Sequence, residues 1–168
     1  GLGHLGSRVA GVARAFGMTI IAWSPNLTRE RAEAAGATLV ERHRLFAEAD
    51  VVSIHMVLSE RTRGLVGAAE LGAMKPSALL VNTSRGPLVE QTALVEALRS
   101  GRIAGAGLDV YDTEPLPADH PLLSCPNTLL TPHLGYVTDQ NYRAYFTGAV
   151  EAVEAFLAGS PIRRIAAG

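Results

Sequence analysis

Three polar side chains, each placed just beyond a short apolar run, have the chemistry to handle a small acid. Arg85 lies in Val81-Asn82-Thr83-Ser84-Arg85-Gly86. A guanidinium at that point can take a carboxylate or keto acid in two parallel hydrogen bonds, although a solvated surface arginine leaves the same trace. Glu114 lies in Gly107-Leu108-Asp109-Val110-Tyr111-Asp112-Thr113-Glu114-Pro115, ahead of a proline that stiffens the loop, and Asp109 closes a buried run. Read alone, these are two loop carboxylates. His133 lies in Thr131-Pro132-His133-Leu134-Gly135. An imidazole titrates near neutrality and can give or take a proton as an alcohol is oxidised, whereas a lone histidine is more often structural. A neighbouring carboxylate would stabilise its imidazolium and fix its tautomer.

A fourth feature concerns phosphate. Gly1-Leu2-Gly3-His4-Leu5-Gly6 has the GxGxxG spacing. The first glycine makes a tight turn, the second lets backbone approach a pyrophosphate, and the third lets helix pack on strand. The N–H groups opening the following helix then face the anion. The motif is weak alone. A helix and then an apolar strand follow it, ending at Trp23-Ser24-Pro25-Asn26-Leu27-Thr28-Arg29. That is where a carboxylate usually takes the ribose hydroxyls of a dinucleotide, about 20 residues on. Here the position is Ser24. A carboxylate would repel a 2′-phosphate and serine does not, so NAD and NADP both stay open. Equally, Ser24 and Asn26 could only form a turn and cap the next helix.

The elements needed to position these residues are legible. Apolar runs at residues 19–23, 51–55, 78–82, 105–110 and 128–130, with a weaker one at 38–40, predict strands. Several are β-branched without alternation, as strands buried on both faces are. Between them, residues 5–16, 29–35, 91–99 and 141–158 predict helices. In the first, Leu5, Val9, Val12, Ala13 and Phe16 repeat as one apolar face. Residues 111–127, with four prolines, predict an ordered loop. Alternating strands and helices imply an α/β fold with a doubly wound parallel sheet. The glycine turn should follow a buried strand, central in the order 3-2-1-4-5-6. The expectation is therefore a partial dinucleotide-binding domain over residues 1–168, apparently lacking its first strand. Residues 136–168 form a terminal helix and tail, and Pro161-Ile162-Arg163-Arg164 reads as a natural end.

Bulk properties narrow the field. The chain has 168 residues, enough for one domain with a real core, and 18% are charged. A net charge of -1 offers no basic field for nucleic acid or an anionic membrane. The single cysteine, Cys125, excludes an internal disulfide and a cysteine-rich zinc site. No His/Asp/Glu spacing suggests a metal. No secretory leader or membrane span is visible, and the expected compartment is cytoplasmic.

In order and spacing, the GxGxxG turn, His55 after a strand, Asn-Thr-Ser-Arg-Gly, Gly-Leu-Asp-Val with Glu-Pro, and Thr-Pro-His-Leu-Gly resemble the D-isomer-specific 2-hydroxyacid dehydrogenases. The resemblance covers essentially the whole chain. It implies a Rossmann-type fold and hydride transfer between NAD or NADP and a small D-2-hydroxy or 2-keto acid. It implies that Arg85 binds the substrate carboxylate and carbonyl, that His133 is the acid/base, and that Glu114 orients His133. It places Asp109 on the nicotinamide carboxamide, and Gly1, Gly3, His4, Leu5 and Gly6 around the pyrophosphate. Ser24 falls at the ribose, and Thr62, Thr83, Gly135 and His55 along the cofactor cleft, though His55 could equally be a buried structural residue. A homodimer and a flanking substrate domain, absent from this chain, are also implied. Ser24 departs from the pattern, and so does the bulky Tyr136, which withholds a glyoxylate-type substrate. A reading of a different class is a dinucleotide-sensing, corepressor-like binding protein of the same fold. Turnover of NAD(P)H with 2-keto acids separates the two.

Overall fold

The computed structural model describes residues 1–165. They fall into two units, residues 1–133 and residues from 134 onward. In the first unit, helix α1 (His4–Ala15) is followed by β1 (Ile21–Ala22), α2 (Arg29–Ala34), β2 (Thr38–Leu39), α3 (Arg42–Glu48) and β3 (Val51–Ile54). Then come α4 (Ala68–Ala73), β4 (Leu79–Asn82), α5 (Gln91–Arg99), β5 (Gly105–Leu108) and β6 (Thr128–Leu130). The second unit contains α6 (Asp139–Leu157).

Every strand pairing is parallel. One sheet has the order β3-β4-β5-β6 and a second pairs β1 with β2. Register is even across the larger sheet: Ile54 pairs with Asn82, Asn82 with Leu108, and Leu108 with Leu130. The strand ends, and the loops that follow them, therefore line up along one edge. Leu80, Leu71, Met74, Leu88 and Leu94 form the main core between this sheet and helices α3 to α5. A smaller cluster of Ala22, Leu27, Ala32 and Ala37 joins α2 to β1 and β2.

The differences from the sequence reading have physical causes. β1 is two residues rather than five, because within its sheet it pairs with β2 alone. Helices α3 and α4 escape a periodicity search, since six or seven residues make fewer than two turns. The apolar face of α1 does not face the core: Leu5, Val9, Val12 and Phe16 are exposed, and Gly6 and Ala10 are the buried residues. At Gly6 the cause is steric, because a Cβ there would overlap the Gly1 carbonyl and crowd the His55 side chain. Helix α6 likewise buries none of its residues.

Candidate active site

In an open parallel sheet ligands bind beyond the carboxyl ends of the strands. His55 follows β3, Thr83 and Arg85 follow β4, Asp109 and Glu114 follow β5, and His133 follows β6. One edge thus collects the chemistry that the sequence scatters over 80 residues.

The Arg85 loop is built from a buried amide. Asn82 is 1% exposed at the end of β4. Its Nδ2 donates to the Arg85 carbonyl at 2.9 Å, and its Oδ1 accepts from the Ser84 N–H at 3.0 Å. The Ser84 hydroxyl donates to the Ile54 carbonyl at 2.7 Å, tying the loop to the end of β3. The backbone is thereby fixed while the Arg85 guanidinium stays exposed, donating to the Ser84 carbonyl at 2.6 Å. Gly86 is sterically required, because a Cβ there would overlap the carbonyl group of Tyr111.

Glu114 and His133 form a direct pair, with His133 Nδ1 2.7 Å from Glu114 Oε2. The other carboxylate oxygen accepts from the Tyr111 N–H at 2.9 Å. Burial pushes the Glu114 carboxyl up, but it is outweighed. Hydrogen bonds from His133 and Tyr111, together with the positive charges of His133 and Arg85, hold it below the usual carboxylate range. An ionised carboxylate accepts only, so Nδ1 carries the proton of this bond. His133 itself sits at φ 54°, in the left-handed region that histidine seldom adopts.

Asp109 is 5% exposed, and its Oδ1 accepts from the Thr131 hydroxyl at 2.5 Å. Its N–H donates to the Asn82 carbonyl, extending the β4–β5 ladder by one rung.

The glycine turn sits beside these strand ends. The Gly1 amine donates to the Trp23 carbonyl at 3.1 Å, and a Cβ on Gly1 would lie 2.5 Å from the His55 carbonyl oxygen. A Cβ on Gly6 would overlap the Gly1 carbonyl. Gly1 and Gly6 are therefore explained by the fold. Gly3, the N-cap of α1, is not: its φ is an ordinary -74° and a Cβ there would meet no protein atom within 4 Å. The open space lies at the first turn of α1, where His4 and Leu5 are exposed and the leading N–H groups have no intrahelical acceptor. This cradle fits a pyrophosphate. His55 is half-buried, with Nε2 2.9 Å from the Ser53 hydroxyl, and burial chiefly pushes its pKa down.

Other expected contacts are placed differently from one another. The Thr62 hydroxyl is turned into its own loop, accepting from the Ser59 N–H at 2.8 Å and donating to the Val57 carbonyl at 2.7 Å. Thr83 is exposed between Asn82 and Ser84. Ser24 is half-buried, and its carbonyl closes a turn with the Leu27 N–H. The cap of α2 is the Thr28 side chain rather than Ser24 or Asn26. Gly135 belongs to the second unit. Three residues with clear roles here received none from the sequence: Asn82, Tyr111 and Thr131. Only Asn82 carried a signal, as an amide closing an otherwise apolar strand. Among the described residues, no group of three or more His, Cys, Asp or Glu side chains is placed to hold a metal, and no helix is long and apolar enough to cross a membrane.

Residues 1–135 match the family model described as D-isomer specific 2-hydroxyacid dehydrogenase, NAD binding domain. The chain belongs to this family.

Its relatives include a glyoxylate reductase of Aeropyrum pernix, 44% identical over 95% of this chain and 48% of that protein. A D-3-phosphoglycerate dehydrogenase of Synechocystis is 41% identical over 97% of this chain and 29% of that protein. A solved phosphoglycerate oxidoreductase from Vibrio cholerae superposes with a TM-score of 0.89 at 43% identity, covering 95% of this chain and 51% of that one. The chain thus spans about half the length, or less, of these 2-hydroxyacid dehydrogenase relatives. It is an NAD-binding domain of Rossmann type, and the cradle at Gly3 suits the pyrophosphate of such a cofactor.

Proposed function

We propose that the full-length protein is a D-2-hydroxyacid dehydrogenase that interconverts a small 2-keto acid and its 2-hydroxy acid. The observation that carries this reading is the Glu114–His133 pair at 2.7 Å, with Arg85 beyond the end of β4 on the same edge of the sheet. Bound nicotinamide supplies or accepts the hydride. Arg85 grips the substrate carboxylate and polarises the carbonyl at C2. His133 gives a proton from Nε2 to the carbonyl oxygen in reduction and takes it back in oxidation. Glu114 accepts from Nδ1 throughout, which keeps the ring oriented and stabilises its charged form. Asp109 would receive the carboxamide of the nicotinamide, while Thr131 fixes the carboxylate that does so. The side chains of His133 and Glu114 are 36% and 35% exposed, so residues 1–168 alone should turn over poorly, with water left around the reacting atoms. A homodimer and a cytoplasmic setting complete the reading.

The test is oxidation of NADH and NADPH by the full-length protein with glyoxylate, hydroxypyruvate, pyruvate and 3-phosphohydroxypyruvate. Turnover of at least one is expected, yielding the D-hydroxy acid wherever the product is chiral at C2. Tight cofactor binding with no turnover of any small 2-keto acid would instead favour a dinucleotide-sensing protein.

Cofactor choice should turn on Ser24. The Ser24–Leu27 turn and the Thr28 cap bring this residue to the carboxyl end of β1 without a carboxylate. We expect NADPH to be accepted, and Ser24→Asp to lower kcat/KM for NADPH relative to NADH at least about tenfold through charge repulsion. If the parent already excludes NADPH as strongly as the variant, Ser24 is only a turn residue.

A further inference from the structure

Tyr111 stands three residues beyond β5 and is 6% exposed. It contacts Glu114 and the segments that carry Arg85 and His133. Its N–H donates to Glu114 Oε1 at 2.9 Å. Its carbonyl group lies so close to Gly86, the neighbour of Arg85, that no Cβ fits between them. Its hydroxyl reaches the Thr131 carbonyl at 2.9 Å and the Leu108 carbonyl at 3.1 Å. That Thr131 carbonyl also accepts the His133 N–H at 3.1 Å, and the Thr131 N–H pairs with the Leu108 carbonyl at 3.0 Å. The phenol therefore sits at the node from which the His133 loop departs.

His133 needs such a hold. At φ 54° it occupies a conformation that costs a non-glycine residue free energy and persists only where neighbours enforce it. The bonds through the Thr131 carbonyl join the Glu114–His133 bond in holding it. A phenylalanine would fill the same buried volume, so packing alone does not account for the hydroxyl. Burial, and then the Asp109 charge, push the Tyr111 pKa up, so the group remains a neutral donor.

We propose that Tyr111 is a positioning residue for hydride transfer: its hydroxyl fixes the His133 loop while its backbone fixes Glu114 and Arg85, setting the register of the three. This rests on the dehydrogenase reading above. The residue touches neither substrate nor cofactor in this account and acts through His133.

The experiment compares the full-length protein with Tyr111→Phe, which keeps the ring and the backbone N–H. With a 2-keto acid that the parent turns over, kcat should fall about tenfold, the worth of one hydrogen bond. The dissociation constant for NADH, from fluorescence titration, should stay within about twofold, because no cofactor contact is removed. The acid limb of the kcat/KM profile should move to higher pH. Glu114 has a depressed pKa, so the ionised pair persists as pH falls until that pKa is reached, and a looser His133 raises it. Unchanged kcat and acid limb with only a lower Tm would make Tyr111 structural and overturn the proposal. An equal loss of NADH affinity would overturn it too. NMR titration of Glu114 in parent and variant reads the same coupling without turnover: an upward midpoint supports the proposal and an unmoved one refutes it. A parent that turns over no keto acid would refute the dehydrogenase reading, and the titration would still decide the role of Tyr111.

Discussion

Replacing His133 with alanine should lower kcat for keto-acid reduction at least about 100-fold, the usual cost of losing a positioned general acid. The expectation follows from geometry rather than from residue type. Nδ1 is held by Glu114 at 2.7 Å, which leaves Nε2 as the nitrogen that meets the substrate oxygen. Without the ring, the developing alkoxide must take its proton from water. NADH binding should be nearly unchanged, since the expected cofactor contacts lie at the glycine turn and Asp109. Steady-state kinetics with a cofactor titration checks both halves. Near-normal kcat in the variant would remove His133 from the chemistry.

The second large effect is expected at Arg85. Its backbone is locked by Asn82 and Ser84, and its side chain projects from a fixed base into solvent. A guanidinium on a rigid base can present two parallel donors to a carboxylate, and an ammonium cannot. Arg85→Lys should therefore raise KM for the keto acid about tenfold or more, and lower kcat as well because the carbonyl loses its polarising donor. NADH affinity should remain close to that of the parent. A variant that loses cofactor affinity while keeping KM for the keto acid would show that Arg85 serves the other ligand.

Much of this was readable before any coordinates. The apolar runs at 51–55, 78–82, 105–110 and 128–130 all became strands, because a parallel sheet buried on both faces requires such runs. Arg85, Glu114 and His133 are each ambiguous alone and become candidates together, because their motifs follow successive apolar runs in one order and spacing. What was not readable depends on tertiary contact. The large apolar residues of α1 mark a face by periodicity, yet the fold buries Gly6 and Ala10 instead, Gly6 against the Gly1 carbonyl and His55. Thr62 looks like any loop threonine, and only the folded chain shows its hydroxyl bonded within residues 57–62. Tyr111 and Thr131 are ordinary strand-end residues in sequence. Their bonds to each other and to Asp109 join residues 20 and 22 apart in sequence. The glycines divide in the same way: Gly1, Gly6 and Gly86 answer to protein sterics, and Gly3 to space that a ligand would fill.

Hydride should pass between a nicotinamide and C2 of a small acid held by Arg85 and His133. The most direct measurement uses NADH, or NADPH, stereospecifically deuterated at C4, the two labelled epimers in separate reactions, with the full-length protein and a 2-keto acid, followed by mass spectrometry of the product. One deuterium at C2 of the resulting 2-hydroxy acid is expected from one epimer, and its loss is expected with His133→Ala. Cofactor oxidation that leaves the C2 position unlabelled with both epimers, or binding of the cofactor with no product from any 2-keto acid, would contradict it.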